Sequence, residues 1–414
     1  MRRAVSRVAE HEFWLLWVYG APLLFASNLP VWGLTAALAT IPLFWLARKI
    51  ARGQWSVATP LDLPLSVLLI LGLVAVLVSN NRPWSLLLYG ELVGGVALYY
   101  GIVNGLPRAQ ISKGVWLLLG LGMAMGILGV LGLRYAEKFL PLPLLYDALP
   151  KLDLTRLNPR GFTANIVAGA VAPIVPLAFA WARVQTRAMR VGVCAGALLL
   201  LLIVVLTQSR GALFGLGIGL VVLSVWRFPR LLWLAPPAVV LALGVTWWFG
   251  PAKLAELLLV SDPSESAVGR LELWNRALLM LRDFPFTGIG LGTFEPTALT
   301  FYPLFQNNPG QPAPHAHNLY LQMGVDYGVG GLVAFIGLVV TVLLAGMALW
   351  RASHHKERDW LAGGLLAGYV VYLTHALLDA VALSTKVNVV VWLIVALLMI
   401  LYRSEAMACG ESDA

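Results

Sequence analysis

Charge is scarce in this chain. Only 12% of its 414 residues are Asp, Glu, Lys or Arg, against roughly 25% in a soluble globular protein. With 59% hydrophobic residues, too few solvent-facing side chains remain to clothe a water-soluble fold. Cysteine is nearly absent. Cys194 and Cys409 stand far apart, one in an apolar span and one in the polar tail, so neither a disulfide framework nor a thiolate metal site is indicated. The formal net charge of +9 is not gathered into long basic runs but falls in small clusters between apolar spans. That pattern marks topology signals and lipid headgroups, not nucleic acid. No internal repeat is visible, as the two halves of a transporter would give.

What the chain has instead is apolar runs of about 20 residues, each able to cross a hydrocarbon core of about 30 Å. Candidate spans are 13–28, 31–47, 61–79, 84–103, 115–133, 162–182, 191–207, 211–226, 231–249, 325–350, 360–383 and 387–402. The expected fold is all-α: one polytopic membrane domain over 1–414, about twelve helices, and a large extracytoplasmic loop, 250–324, between helices nine and ten. The first two spans meet at Ser27-Asn28-Leu29-Pro30 as a tight hairpin or a re-entrant pair. Arg2, Arg3 and Arg7, then Arg48, Lys49 and Arg52, Arg108 and Lys113, Arg183, Arg187 and Arg190, Arg227 and Arg230, Arg351, Lys356 and Arg358, and Arg403 all fall on one side. By the positive-inside rule that side is the cytoplasm, with both termini there. The first helix is expected to be retained, because no small-residue cleavage site precedes the next span.

The one long polar interval runs from Val268 to Gln322. From Gly269 to Arg282, Trp274, Ala277, Leu278 and Leu281 recur at i, i+3, i+4 and i+7, the spacing of an amphipathic helix. Gly288, Gly290 and Gly292 follow Pro285 and force an irregular loop. It lacks the strand and spacing of a dinucleotide loop and is read as a turn that brings backbone close to a ligand.

Several residues are candidates for chemistry. Arg210 interrupts an apolar region within Thr207-Gln208-Ser209-Arg210-Gly211; it is either a snorkelling arginine or a fork for phosphate oxygens. Arg270 lies near a helix start, where free N–H groups also favour anions. Arg276 and Arg282 read first as a solvated face. His315 and His317 flank Ala316, and an imidazole suits a general base near neutral pH. The H-x-H pair is half a metal site at most, with no acidic or cysteine partner at ligand spacing. Glu91, His375 and Asp379 are ionisable groups at membrane depth; the last two, one helical turn apart, are expected to satisfy each other.

Taken in order, T-Q-S-R-G-A at 207–212, V-G-R-L-E-L-W at 268–274, P-F-T-G-I-G-L-G-T-F at 285–294 and H-A-H-N-L-Y-L-Q at 315–322 resemble the O-antigen ligase/polymerase superfamily, with a weaker N-P-R-G-F-T-A-N at 158–165. The resemblance implies a GT-C-like bacterial glycosyltransferase of the inner membrane. Its donor would be a glycan on a polyprenyl pyrophosphate (undecaprenyl in bacteria), used on the periplasmic face. The acceptor would be a hydroxyl of lipid A–core oligosaccharide for a ligase, or of another lipid-linked repeat for a polymerase. It further implies Arg210 and Arg270 at the pyrophosphate, His317 as base, inversion at the anomeric carbon, and no metal or other cofactor. His315, Arg276, Tyr320, Gln322, Arg160 and Asn165 are expected to line the substrate site. Membrane lipid is the surrounding partner. A lipid or polysaccharide transporter using Glu91, His375 and Asp379 is the alternative from another class.

Overall fold

The computed structural model describes residues 31–133, 150, 152–153, 162–251, 253–254, 267–305, 313–352, 358–380 and 385–412. The 13–28 span lies outside them. The described chain is helical: α1 (Val31–Arg52), α2 (Asp62–Val78), α3 (Arg82–Gly105), α4 (Ile111–Gly132), α5 (Ala164–Val171), α6 (Ile174–Arg183), α7 (Arg187–Thr207), α8 (Arg210–Arg227), α9 (Ala235–Phe249), α10 (Ala267–Asp283), α11 (Phe294–Phe301), α12 (Leu319–Ala352), α13 (Arg358–Leu378) and α14 (Thr385–Ser412). Among the described residues the only β contact is one isolated bridge between Leu133 and Phe162. Nine stretches among them are long and apolar enough to cross a membrane, and α2 is a shorter apolar helix. The protein is therefore a polytopic, all-helical membrane protein.

Burial separates these helices into classes. The Trp360–Leu378 stretch of α13 is 78% buried in its apolar window, whereas Pro229–Phe249, which contains α9, is 0% buried. Trp233 and Trp248 are each 82% exposed and Trp247 is 90% exposed, the arrangement of an interfacial aromatic belt on a lipid-facing helix. α13 packs on α6, α8, α12 and α14. Its contact with α8 is close because small residues face it: a Cβ on Gly219 would lie 2.3 Å from Val371 Cγ2 and 2.9 Å from the Ala367 carbonyl oxygen. Without a hydrophobic drive between helices in lipid, such close backbone approach supplies much of the association.

Two features break the helical pattern. The 162–182 span is not continuous, since α5 ends at Val171 and α6 begins at Ile174 after Pro173. α12 has a non-helical residue at Gly328, with φ 74° and ψ −176°. The freed N–H of Val329 is recovered by the Pro285 carbonyl at 2.7 Å, as broken helices at membrane depth require.

The polar interval folds on itself. Leu273, Ala277, Met280, Ile289, Phe294, Ala298, Ala313, Ala316 and Val325 form a small core of their own, which seats α10 on α12. The buried stripe of α10 is shifted from the expected one: Leu273, Ala277 and Met280 face inward, and Leu278 is 54% exposed. That register also turns Arg270, one turn before Leu273, to the buried side.

Candidate active site

At one end of the bundle, chain breaks deliver polar side chains to a single place. Between α7 and α8 the backbone reverses within two residues. Gln208 adopts a left-handed conformation, φ 49°, and Ser209 takes the N-cap position of α8. The fully buried Ser209 hydroxyl does not cap that helix; it donates to Asn165 Oδ1 at 2.7 Å. Arg210 is the next residue and opens α8. Asn165 lies in the first turn of α5, behind the Thr163 cap. Its Nδ2 donates to Asp379 Oδ2.

Asp379 is where the site departs most from expectation. Within the expected 360–383 span, α13 stops at Leu378 and Asp379 lies just beyond it. Asp379 and His375 therefore do not pair through their side chains; only the backbone bond from Asp379 N–H to the His375 carbonyl, 3.0 Å, joins them. The Asp379 carboxylate turns instead to Asn165, to the Ala380 N–H at 2.8 Å, and to His317, whose Nδ1 lies 3.3 Å from Oδ1. The last contact is at ion-pair distance without hydrogen-bond alignment, and His375 Nε2 also lacks a hydrogen-bond partner.

The turn before α12 carries both histidines. His317 sits at φ 50°, a left-handed conformation unfavourable for a residue with a Cβ, and such strain persists only where neighbours over-determine it. Here the His317 N–H donates to His315 Nδ1 at 3.3 Å, and the two rings meet edge to face at 4.4 Å. His315 then carries its neutral-state proton on Nε2. The end of α13 is held by the same segment and by α10. Arg270, 2% exposed, donates from Nη1 to the Leu378 carbonyl at 2.6 Å, and Asn318 Nδ2 donates to the Leu377 carbonyl at 3.0 Å. A cation at a helix C-terminus satisfies orphan carbonyls and the negative dipole end together.

Electrostatics follow from this packing. Burial pushes the Asp379 carboxyl up, but His317, His315 and Arg270 together outweigh it and hold the group well below the usual carboxylate range. Burial, with His317 and Arg270 adding to it against Asp379, lowers the His315 imidazole to about 4. The result is an ionised carboxylate, a neutral histidine and a guanidinium around His317, whose side chain is 16% exposed. With Nδ1 facing Asp379, Nε2 is the ring nitrogen of His317 left for other partners.

His317, His315, Arg270 and Asn165 thus come together, and Arg210 follows Ser209 in sequence as the first residue of α8. The other expected lining residues stand differently. Arg276 pairs with Glu272 at 3.5 Å and donates to the Pro303 carbonyl at 3.1 Å, bracing the outer strap of the polar interval. Tyr320 Oη donates to the Leu373 carbonyl at 3.4 Å. Gln322 is 1% exposed and engages the Ala316 N–H at 2.8 Å. Arg160 lies outside the described residues. The glycine loop approaches protein: a Cβ on Gly288, φ 65°, would lie 2.5 Å from the Asp326 carbonyl oxygen. Sequence reasoning missed Ser209 and the role of Asp379. His315, His317 and Asp379 bring ligand atoms within 4.8 Å of one another, a donor set that suits a divalent cation. Asp379 and His315 Nδ1 are already engaged by protein N–H groups.

A search of curated proteins finds no match to this chain. Residues 195–336, which carry Arg210, Arg270 and both histidines, match the family model described as O-antigen ligase, a match consistent with the O-antigen ligase/polymerase superfamily.

Proposed function

We propose that the protein is a membrane glycosyltransferase that moves a glycan from a polyprenyl-pyrophosphate carrier to an acceptor hydroxyl on the extracytoplasmic face. The observation that carries this reading is the His317–Asp379 contact beside Arg270; His317 and Arg270, though not Asp379, lie in the segment 195–336 that matches the O-antigen ligase model. In the proposed reaction the acceptor O–H gives its proton to His317 Nε2. The acceptor oxygen attacks the anomeric carbon as the carbon–oxygen bond to the pyrophosphate breaks, and the electron pair leaves on the diphosphate. Asp379 orients the ring and balances the imidazolium, a division of labour known from other Asp–His pairs. Arg210 and Arg270 supply fixed positive charge where negative charge grows. A single displacement inverts the anomeric centre. This scheme takes its electrostatic stabilisation from guanidinium groups and routes no step through a metal or cofactor.

Ligase chemistry on lipid A–core oligosaccharide is the preferred form, and polymerisation onto a second lipid-linked repeat uses the same donor and base. The test is purified protein supplied with a lipid-linked glycan and each acceptor in turn, with products read by mass spectrometry. His317→Ala is expected to abolish transfer with donor binding retained; transfer at the wild-type rate would sink the reading. Longer lipid-linked glycans in place of a lipid A–core product would move the assignment to polymerase. A transporter relying on Glu91, His375 and Asp379 predicts movement of intact donor without a new glycosidic bond.

A further inference from the structure

Two buried side chains that the proposed chemistry leaves unused join the histidine turn to the glycine loop. Asp326 lies one helical turn beyond Gln322 on α12, and the pair are 3% and 1% exposed. Gln322 Oε1 accepts the Ala316 N–H at 2.8 Å, and Gln322 Nε2 donates to Asp326 Oδ1 at 2.9 Å. The same Asp326 oxygen accepts the Gly292 N–H at 3.3 Å. Ala316, fully buried, stands between the two histidines. The loop is tied to α12 again by the Ile289 N–H to the Val325 carbonyl, 2.9 Å. From the other side Ser85 Oγ donates to the Leu291 carbonyl at 2.7 Å.

A carboxylate on a membrane helix is costly, and apolar residues would seat the loops on α12 at lower cost. What an apolar pair cannot do is fix the direction of a backbone N–H. The chain from Gly292 to Asp326, Gln322 and Ala316 fixes two of them, one in each loop. Ala316 is bonded on the N-terminal side of His317, the residue with the left-handed backbone.

We propose that Asp326 is a positioning residue: through Gln322 it sets the 315–317 turn so that His317 faces Asp379, and through Gly292 it registers the glycine loop on the same helix. The inference rests on the proposed role of His317, but its structural half is testable without any activity.

The chemistry of the pair supplies the test. In Asp326→Asn the remaining carbonyl oxygen still accepts from both Gln322 and Gly292, so little changes. Asp326→Ala removes the acceptor shared by Gln322 and Gly292 and breaks the link. The double variant Gln322→Glu/Asp326→Asn keeps it with the roles exchanged. Its carboxylate accepts from the Ala316 N–H and from the introduced amide, whose carbonyl still accepts from Gly292. Gln322→Ala removes the link without adding charge. Amide hydrogen exchange of the 313–318 segment and transfer kinetics are measured on the full chain in lipid nanodiscs. Loss of the Asp326 anchor in Asp326→Ala, or of the Ala316 acceptor in Gln322→Ala, is expected to speed exchange about tenfold. The same variants should lower kcat by about a hundredfold with the donor KM little changed, and the double variant should stay near wild type in both. Wild-type exchange in Gln322→Ala or Asp326→Ala, or fast exchange in the double variant, would overturn the proposal. If wild-type protein transfers no glycan, the exchange results still decide the positioning role, and only the functional reading falls.

Discussion

The two ends of the bundle carry polar networks of similar composition and opposite character. At the end away from the candidate site, the Asn104 side chain accepts the Val57 N–H at 2.9 Å and donates to Ser56 Oγ at 3.0 Å and the Tyr100 carbonyl at 2.6 Å. Asp62 takes Thr59 Oγ1 at 2.6 Å and Tyr100 Oη at 2.7 Å, and Arg52 donates to the Asn104 carbonyl at 3.0 Å. Those bonds close on themselves and staple α1, α2 and α3. At the site end the chain Ser209–Asn165–Asp379 runs out at His317, whose Nδ1 is poorly aligned and whose backbone is strained. A satisfied network stabilises a fold; an unfinished one held in place is ready for a substrate.

Four measurements break or sharpen that contrast. Asp379→Asn should have the largest effect, lowering kcat by about a hundredfold or more. The new amide offers an N–H to His317 Nδ1, which drives the imidazole proton onto Nε2, the atom needed as base. Arg270→Lys comes next: a point charge replaces a fork that caps α13, and kcat/KM should fall about ten- to a hundredfold, the worth of a charge-assisted hydrogen bond. Thermal unfolding against pH tests the third. His315 titrates near 4 when folded and at 6.5 in its ordinary state, so between those values the unfolded chain binds the extra proton. Stability is then full above 6.5 and declines as pH falls toward 4, and His315→Gln should flatten that slope. A wild-type curve flat over the same interval would contradict the buried, neutral His315. The smallest effect on chemistry belongs to the closed network. Asn104→Ala should leave the transfer rate within about twofold yet cost about 1–3 kcal/mol of stability, read by denaturant unfolding, because the Val57 N–H loses its acceptor and Ser56 Oγ and the Tyr100 carbonyl lose a donor.

Much of this is legible in the sequence, and the gaps have a common cause. Apolar run length locates the spans, and the positions of Arg210, Arg270 and His317 between those spans mark them as candidates. Periodicity assigns a face to a residue but not a partner far along the chain, so Asp379 reads from sequence as the partner of His375 on its own helix. That reading extends α13 to 383; with the helix ending at Leu378 the carboxylate turns into the bundle, toward Asn165 and His317. The same limit hides the bonds of Gln322 to Ala316 and Asp326 and of Arg276 to the Pro303 carbonyl. The shift of the α10 stripe follows from packing against Ile289 and Phe294, which no local pattern encodes.

The bond between Asn165 and Asp379 joins residues 214 positions apart, and it carries an implication for biogenesis. The ribosome delivers Ser209, Arg270 and His317 before Asp379. Until α13 has entered the bilayer and docked against α6 and α8, a nascent chain cannot close the polar network.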